Sequence, residues 1–312
     1  MTETEAAGKL TPPGRAWATH AGLLVVQLAF ASQAVEAKIA MMPRALGGEE
    51  IFPSAIAMVR MIGGALFFQV LVRITATQES AKKPIPRSDH LRLAGLSFLG
   101  ISANQALFLL GLRWTTPFAV SLLGATIPVL TAALAVVFGK EKLSLPTVLG
   151  IALALTGVLS LTGIGSVDKG AVLVAINCLS YSLYVVHSRD VVLRVGTIRA
   201  MSWIFTYGAL MFLPLGLGPL VEQLPTLTTR GVLFFAYVIL VPTITAYGLH
   251  AWALARSNAT LVTVYIYLQP LIAALLAWVQ LGQGVPLRAG VAAVLILGGL
   301  GVVVATRARA TR

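Results

Sequence analysis

The segment ATIPVLTAALAVVF, residues 125–138, contains no charged residue and shows no alternation of polar and apolar side chains. A strand of a transmembrane β-barrel would alternate, whereas a continuous apolar stretch is typical of a membrane helix. The rest of the chain has the same character, because 57% of its 312 residues are hydrophobic, 11% are charged and the mean hydropathy is +0.88. We therefore expect an all-α integral membrane protein.

Apolar blocks recur along the chain, each near the length of about 20 residues that a helix needs to cross the hydrocarbon core. We predict ten transmembrane helices, at 17–42, 51–72, 91–112, 115–138, 145–164, 169–188, 198–217, 231–254, 258–281 and 286–305. Residues 1–16 lack the apolar core of a signal peptide, so they are predicted to be an N-terminal tail. The lone Cys178 lies in the sixth span, which leaves no disulfide or cysteine metal site to propose.

The net charge of +12 would suit a nucleic-acid binder, but most cationic residues lie in the connections between spans. Of the 23 Lys and Arg residues, sixteen fall on the side of the N-terminus and five on the other side, with Lys38 and Arg60 inside spans. The positive-inside rule then places both termini in the cytoplasm. We expect a multi-pass protein of a cell membrane, most simply a bacterial inner membrane, with no nucleic-acid partner.

The chain also carries an internal repeat. Shifting the sequence by 142 aligns IPVLTAALAVV with QPLIAALLAWV and places Pro128 on Pro270, while a shift of 148 aligns GLLVVQLAFAS with GAVLVAINCLS. We predict two five-helix repeats, 17–164 and 165–305, between cytoplasmic tails at 1–16 and 306–312. Five is an odd number, so the second repeat should be inverted in the membrane, as in many secondary transporters.

Polar residues within the spans fall on single faces of helices, and the repeat aligns these faces with one another. Interhelical hydrogen bonding is one explanation. Large amphipathic rings favour another, a cavity lined by helices 1, 3, 4, 6, 8 and 9. The predicted substrate-binding residues are Gln33, Glu36, Arg60, Asn104, Gln105, Tyr181, Tyr184, Tyr247, His250 and Tyr267.

Charges inside the spans are costly and are therefore functional candidates. Glu36 and Arg60 lie at depths that permit an ion pair between helices 1 and 2. The alternative is that Glu36 is a cavity carboxylate, which binds a substrate ammonium or carries a proton. Lys38 is close enough to the outer end of its helix for its ammonium to snorkel to the interface.

Among the prolines within the predicted spans, Pro128, Pro242 and Pro270 are the candidates for kinks or hinges. Each is either an ordinary kink or a hinge with an exposed backbone acceptor.

The order of motifs resembles the drug/metabolite transporter superfamily, in its ten-helix EamA branch. The similarity rests on FASQAVEAKIAM (30–41), PSAIAMVRMIGGALF (53–67), TTPFAVSLLGATIPVLTAALAVVFGKEKLS (115–144) and ATLVTVYIYLQPLIAALLAWVQLGQGVPL (259–287). ANQALFLLGLRWTTP (103–117) resembles plant exporters of the auxin-transport type, and the overall pattern resembles the YddG-type aromatic amino-acid exporters. Where the family often has Gly-Glu, this chain has Gly282 and Gln283, whereas Glu141 keeps the acid in the first repeat.

This resemblance implies export or facilitated movement of a small metabolite, with proton coupling left open. We expect a secondary transporter of a small amphipathic metabolite, foremost neutral or aromatic amino acids, that works without cofactor or metal. Other transported classes are nucleobases, organic cations and sugar phosphates. A channel would need a continuous polar pore. An intramembrane enzyme is disfavoured because the sequence holds no H-E-x-x-H or G-x-S-x-G motif.

Overall fold

The computed structural model describes residues 13–75, 84–115, 120, 123–162, 169–281 and 287–310. Over these ranges the regular secondary structure is entirely helical. The helices, numbered in chain order, are α1 (Pro13–Met41), α2 (Pro53–Thr75), α3 (Arg87–Trp114), α4 (Ile127–Val137), α5 (Leu145–Thr162), α6 (Lys169–Val195), α7 (Thr197–Gln223), α8 (Thr229–Arg256), α9 (259–281) and α10 (Leu287–Ala310).

Six of the described helices, α1, α2, α3, α6, α7 and α8, are long and apolar enough to cross a membrane. Shorter apolar helices at Ile127–Val137, Leu145–Gly157, Ala259–Ala273 and Val294–Thr306 overlap the other four predicted spans. The all-helical membrane fold is therefore confirmed, whereas the exact count of ten crossings stays a prediction.

Large apolar side chains cover much of the outer surface of the helices. Leu66 on α2 is 63% exposed, Val137 on α4 is 78% exposed and Leu215 on α7 is 64% exposed. A contiguous apolar exterior of this kind would be a liability in water, and it suits contact with lipid chains. The polar side chains of the spans are instead turned inward.

Two wide π-helical turns interrupt long helices at equivalent places. The first is Phe98–Ser102 in α3, and the second is Leu240–Thr245 in α8. Their first residues differ by 240 − 98 = 142 positions, which is the offset of the sequence repeat. Both repeats thus carry the same local irregularity, a feature that is common at functional sites.

Pro128 and Pro270 do not lie in the middle of continuous α-helical segments. A turn at Ala125 and Thr126 precedes α4, and Pro128 lies in its first turn, where the missing N–H costs nothing. In α9, a 3₁₀ turn at Tyr265–Leu268 separates a short α-helical part, Ala259–Val264, from a longer one, Gln269–Leu281, whose second residue is Pro270. The fourth span is therefore not one unbroken helix over 115–138. A hinge role for these prolines stays a prediction.

Several helix ends differ from the expected boundaries. α1 already begins at Pro13, and α10 continues to Ala310, so both enter segments predicted as tails. The predicted boundary between the repeats, at 164 and 165, lies outside the described residues.

Glycines allow two pairs of helices to approach closely. A Cβ atom on Gly64 of α2 would lie 2.5 Å from Cδ1 of Phe205 on α7. A Cβ atom on Gly150 of α5 would lie 2.8 Å from the carbonyl oxygen of Gly299 on α10. Small residues at such positions let membrane helices gain van der Waals contact that larger residues would block.

Candidate functional site

A cavity with a volume of about 90 Å³ lies between α1, α3, α4, α6, α8 and α9. These are the six helices from which the polar stripes predict a cavity. Its polar lining consists of Gln27, Gln33, Asn104, Gln105, Asn177, Tyr181, Tyr247, His250 and Gln269, and the rings of Phe30 and Phe108 add apolar wall. No Asp, Glu, Lys or Arg lines it within the described residues.

The size of the cavity limits what it holds in this conformation. Ligand pockets commonly measure roughly 300–1,000 Å³, so 90 Å³ has room for only about three water molecules at ~30 Å³ each. A metabolite therefore enters only when the surrounding side chains or helices move apart.

Arg60 of α2 lies directly behind the cavity and is only 1% exposed. Its Nη1 donates to the carboxamide oxygen of Gln105, and its Nε donates to Thr243 Oγ1 at 2.8 Å. Its Nη2 donates to the carbonyl oxygen of Pro242 at 3.1 Å. All three acceptors are neutral, so the guanidinium is hydrogen-bonded without a carboxylate. The ion pair with Glu36 considered above is not how the structure satisfies Arg60.

The π turn of α8 explains why this acceptor is available, because the N–H of Ala246 donates to the carbonyl oxygens of Val241 and Thr243 and not to that of Pro242. Pro242 itself lacks an N–H, which leaves the carbonyl oxygen of Val238 without its helical donor. The hydroxyl of Thr243 donates to the carbonyl oxygen of Val238 at 2.7 Å while accepting from Arg60. The sequence of α8 thus builds a polar socket for one buried guanidinium.

The Gln105 carboxamide connects this socket to the cavity. Its Nε2 donates to Asn104 Oδ1 at 3.2 Å and to the hydroxyl of Tyr247 at 2.9 Å. The Tyr247 hydroxyl donates in turn to the carbonyl oxygen of Gly100, at 3.3 Å, in the π turn of α3. Each π turn therefore supplies a carbonyl acceptor to a side chain at the site.

Further hydrogen bonds join lining residues from different helices. The Tyr181 hydroxyl and His250 Nε2 lie 3.0 Å apart, and either atom can be the donor depending on the tautomer of the histidine. Gln269 Nε2 donates to Gln27 Oε1 at 2.7 Å. Asn177 Nδ2 donates to the backbone oxygen of residue 104 at 2.8 Å.

Gln33 stands apart from these pairs. Its side chain is only 3% exposed and lines the cavity, yet its carboxamide makes no hydrogen bond to another described residue. The carboxamide atoms are not fully enclosed by other protein atoms, so they border the space of the cavity. Gln33 is therefore well placed to bond to a guest in the cavity.

Glu36 lies in a different pocket, farther along α1 toward the end predicted to face outside. This outer pocket has a volume of about 250 Å³ and is lined by Glu36, Glu49, Arg230 and Tyr237 among others. The hydroxyls of Ser32 and Tyr237 lie 2.6 Å apart. The predicted carboxylate is therefore separated from the polar cavity.

Connections between helices close this outer end. Thr228 Oγ1 donates to Glu49 Oε2 at 2.5 Å, and Arg230 Nη1 donates to the carbonyl oxygen of Gly47 at 2.8 Å. Arg44 Nη2 donates to the carbonyl oxygen of Thr226 at 2.5 Å. The link between α1 and α2 is thereby fastened to the link between α7 and α8.

The ammonium of Lys38 bonds to the end of a neighbouring helix. Its Nζ donates to the carbonyl oxygens of Leu112, Arg113 and Thr115, at 2.9, 3.2 and 2.7 Å. These carbonyls lie at the C-terminal end of α3, where the backbone lacks helical partners and the helix dipole favours a cation. Lys38 is therefore the cap of α3.

Besides Glu36 and Arg60, two more predicted residues lie outside the cavity lining. Tyr184 is 1% exposed and packs on Gly100, since a Cβ there would lie 2.5 Å from the Tyr184 Cγ atom. Tyr267 is fully buried, and its hydroxyl has no hydrogen-bond partner among the described residues.

The remaining predicted residues, Gln33, Asn104, Gln105, Tyr181, Tyr247 and His250, all line the cavity. The prediction omitted Gln27 and Gln269. Gln269 directly precedes Pro270, which the repeat aligns with Pro128, and this position could have identified Gln269 as a candidate. Gln27 gave no comparable signal.

No group of three or more His, Cys, Asp or Glu side chains suited to a metal ion occurs in the described part of the chain. Cys178 lines the cavity and its thiol donates to the carbonyl oxygen of Leu123 at 3.4 Å. The chemistry on offer is thus hydrogen bonding and aromatic contact with a guest molecule.

Comparison with known families gives two matches to the same family, one for each half of the chain. The family described as "EamA-like transporter family" matches residues 20–163 and again residues 168–305. The double match agrees with the internal repeat.

Individual relatives carry transporter names. The chain is 27% identical over 262 residues to the "Uncharacterized transporter YdfC" of Bacillus subtilis, covering 81% of this chain and 82% of that protein. It is 29% identical over 156 residues to the "Uncharacterized inner membrane transporter YedA" of Escherichia coli, covering 49% and 50%. A solved structure titled "Crystal structure of protein" matches with a TM-score of 0.69 at 19% identity, over 95% of this chain and 99% of that one, which shows a shared fold.

Proposed function

Since the chain belongs to the EamA-like transporter family, we propose that it is a secondary transporter that exports a small amphipathic metabolite, or facilitates its movement, by alternating access. The family and the names of the relatives indicate transport rather than catalysis. The proposed location is the inner membrane, with both termini in the cytoplasm, because the cationic residues are concentrated on that side.

The cavity lining is the observation that carries this proposal. Carboxamides, hydroxyls and an imidazole from both halves of the chain converge there with two phenylalanine rings. Such a mixed lining suits a guest with polar groups and an apolar or aromatic body. Neutral and aromatic amino acids are the first class we propose.

Arg60 supports binding of the carboxylate of such a substrate without touching it. Its positive charge lies one side chain away from the cavity, behind Gln105. In a low-dielectric interior a charge at this distance still attracts an anion. We propose that the carboxylate binds near Gln105 and Asn104, while the ammonium faces the unpaired oxygen of Gln33.

Uncharged heterocycles such as nucleobases are a second candidate. They are favoured by the absence of Asp, Glu, Lys and Arg from the described lining, since six carboxamides offer donors and acceptors in equal measure without a formal charge. A sugar phosphate is less well matched, because phosphate recognition normally uses Arg or Lys in direct contact.

Alternating access requires the closed outer end to open. The contacts of Arg44, Glu49 and Arg230 with the opposite link hold it shut in this conformation. Glu36 lies just inside that closure and is the carboxylate we propose for proton coupling, if transport is proton-driven.

Counterflow in proteoliposomes tests the proposal. Vesicles loaded with one unlabelled compound receive the labelled compound outside, at equal pH, with amino acids, nucleobases and a sugar phosphate in separate arms. We expect transient accumulation for neutral or aromatic amino acids. Accumulation of nucleobases alone would replace the first class by the second, and the absence of exchange in every arm would refute both.

A matched pair of variants ties the activity to the cavity. Gln105→Leu should abolish accumulation, because it removes the carboxamide between Arg60 and the cavity. Gln69→Leu is the control, since Gln69 on α2 donates to Thr206 at 3.0 Å and does not line the cavity. Equal loss in both variants would place substrate binding elsewhere.

A further inference from the structure

A large groove, separate from the cavity and from the outer pocket, lies on the outside of the bundle. It runs between the end of α2, the start of α7 and the second half of α8, with a volume of about 730 Å³. Phe67 and Leu71 form one wall, and Leu249 and Trp252 form another. Phe67 is 39% exposed, so this groove opens on the face that contacts lipid chains.

One end of the groove is cationic. Arg199, in the first turn of α7, and Arg256, in the last turn of α8, both line it there. The guanidinium carbon of Arg256 lies 4.4 Å from the centre of the Trp252 ring, so a cation–π contact holds this charge at the groove wall. No Asp or Glu lines the groove in the described part of the chain.

The start of α7 brings a helix N-terminus to this end of the groove, beside the C-terminal ends of α2 and α8. Its N-cap is Gly196, which makes no side-chain capping bond, and its first turn holds no acidic residue. The free N–H groups of a helix N-terminus carry a partial positive charge that favours anions. The groove therefore complements an anionic phospholipid: its apolar walls suit the acyl chains, and its cationic end suits the phosphate.

We propose that this groove binds an anionic phospholipid, with an acyl chain against the apolar walls and the headgroup phosphate between Arg199 and Arg256. Basic pockets between membrane helices are known to bind anionic headgroups on the cytoplasmic side. The charge distribution of the sequence predicts that this end of the bundle is cytoplasmic. This inference does not depend on which metabolite is transported.

Gly248 provides a way to fill the groove without damaging the fold. It lies on the groove floor, and a Cβ there would meet the Phe68 ring at 3.7 Å, an ordinary van der Waals distance. A leucine at this position would extend from the floor into the space we assign to the acyl chain.

Trp252 is a built-in reporter for the experiment. The chain has five tryptophans, so a variant with phenylalanine at the other four positions reports on the groove alone. In nanodiscs of phosphatidylcholine, brominated phosphatidylglycerol should quench Trp252 fluorescence at a several-fold lower mole fraction than brominated phosphatidylcholine. A second variant should keep only Trp114, which is 57% exposed at the C-terminal end of α3 and does not line the groove. This variant should show no such preference.

Substitutions then separate the headgroup from the chain. Arg199→Gln should reduce the preference for the anionic lipid by about fivefold, and the double variant with Arg256→Gln should reduce it further. Gly248→Leu should weaken quenching by both lipids. Equal quenching by the two lipids at Trp252, or an equal anionic preference at Trp114, would overturn the proposal.

The protein with all five tryptophans allows an independent measurement. Native mass spectrometry of the protein released from mixed-lipid nanodiscs should show retained phosphatidylglycerol, and the Arg199→Gln, Arg256→Gln double variant should retain phosphatidylcholine and phosphatidylglycerol alike. Water-soluble glycerol phosphate should not displace the lipid. Displacement by glycerol phosphate, or retention unchanged by the double variant, would show that the groove is not a phospholipid site.

Discussion

The guanidinium of Arg60 donates a hydrogen bond to the carboxamide oxygen of Gln105, and this contact fixes which group of Gln105 faces the cavity. With the oxygen engaged behind the wall, the amide nitrogen donates to Asn104 and Tyr247. A charge on α2 thereby orients a neutral side chain on α3. Arg60 is a positioning residue in this arrangement, since it does not line the cavity.

Replacement of Arg60 by glutamine should weaken both substrate binding and folding. Hydrogen bonds to charged groups contribute roughly 1.5–3 kcal/mol each, so we expect KM for counterflow to rise about tenfold or more as Gln105 loses its orientation. The substitution also takes the donor from three buried acceptors, and a buried acceptor left unsatisfied costs about 1–3 kcal/mol. The thermal midpoint in detergent should therefore fall as well, and KM is measured on the folded fraction.

Arg73→Gln is the matched control, because Arg73 lies on the same helix at its exposed end. It should leave KM unchanged. If Arg60→Gln lowered the thermal midpoint strongly and left KM intact in the folded fraction, Arg60 would be a structural residue only.

The Tyr247 hydroxyl should matter for binding, whereas the Tyr184 hydroxyl should not. Tyr247→Phe removes the bonds to Gln105 and to Gly100, and we expect affinity to fall by about five- to 150-fold, at roughly 0.5–1.5 kcal/mol for each of the two bonds. Tyr184→Phe keeps the ring that packs on Gly100 and should bind substrate normally. Counterflow rates over a range of substrate concentrations give the affinity of each variant. A larger loss of affinity in Tyr184→Phe than in Tyr247→Phe would contradict the assignment of Tyr247 to the binding site.

Two glycines on α3 should respond differently to alanine. A Cβ at Gly100 would overlap the Tyr184 ring, and overpacking of this kind costs about 1–3 kcal/mol. A Cβ at Gly95 meets nothing within 4 Å. We expect Gly100→Ala to lower the melting temperature followed by fluorescence-detected size exclusion, while Gly95→Ala leaves it equal or higher. Equal shifts would mean that the π turn tolerates the extra atom.

Glu36→Gln should separate exchange from driven transport. Because Glu36 lines the outer pocket rather than the cavity, we expect counterflow at equal pH to persist and uptake driven by a pH gradient to fall. Glu50→Gln is the control, since Glu50 is exposed in the link between α1 and α2. If Glu36→Gln abolished counterflow as well, the Glu36 carboxylate would contact the substrate.

Much of the fold can be predicted from the sequence, because every membrane helix needs a hydrophobic stretch of sufficient length and its polar residues keep a helical spacing. The offset of 142 residues between Pro128 and Pro270 predicted the repeat, and the two π turns have the same offset. The helix breaks near these prolines were not predicted. A 3₁₀ turn such as Tyr265–Leu268 depends on packing against neighbouring helices, which hydropathy does not record.

The site was predicted only in part, and charge explains the difference. Helical spacing placed Gln105 and Tyr247 correctly on the cavity wall. Arg60 and Glu36 were assigned to the same site because opposite charges at similar depth attract. The structure satisfies Arg60 with Thr243 and Pro242 instead, and a backbone carbonyl freed by a π turn leaves no trace in the residue types.

Lys38 has a mechanical consequence. Its ammonium ties α1 to the carbonyls of Leu112, Arg113 and Thr115, so these two helices cannot part at that end without exposing unbonded backbone oxygens. They should travel through the transport cycle as one rigid body, and the opening motion falls to α8 and the link that precedes it. Spin labels on the outer ends of α1 and α3 would keep a single separation, while labels on α1 and α8 would show two.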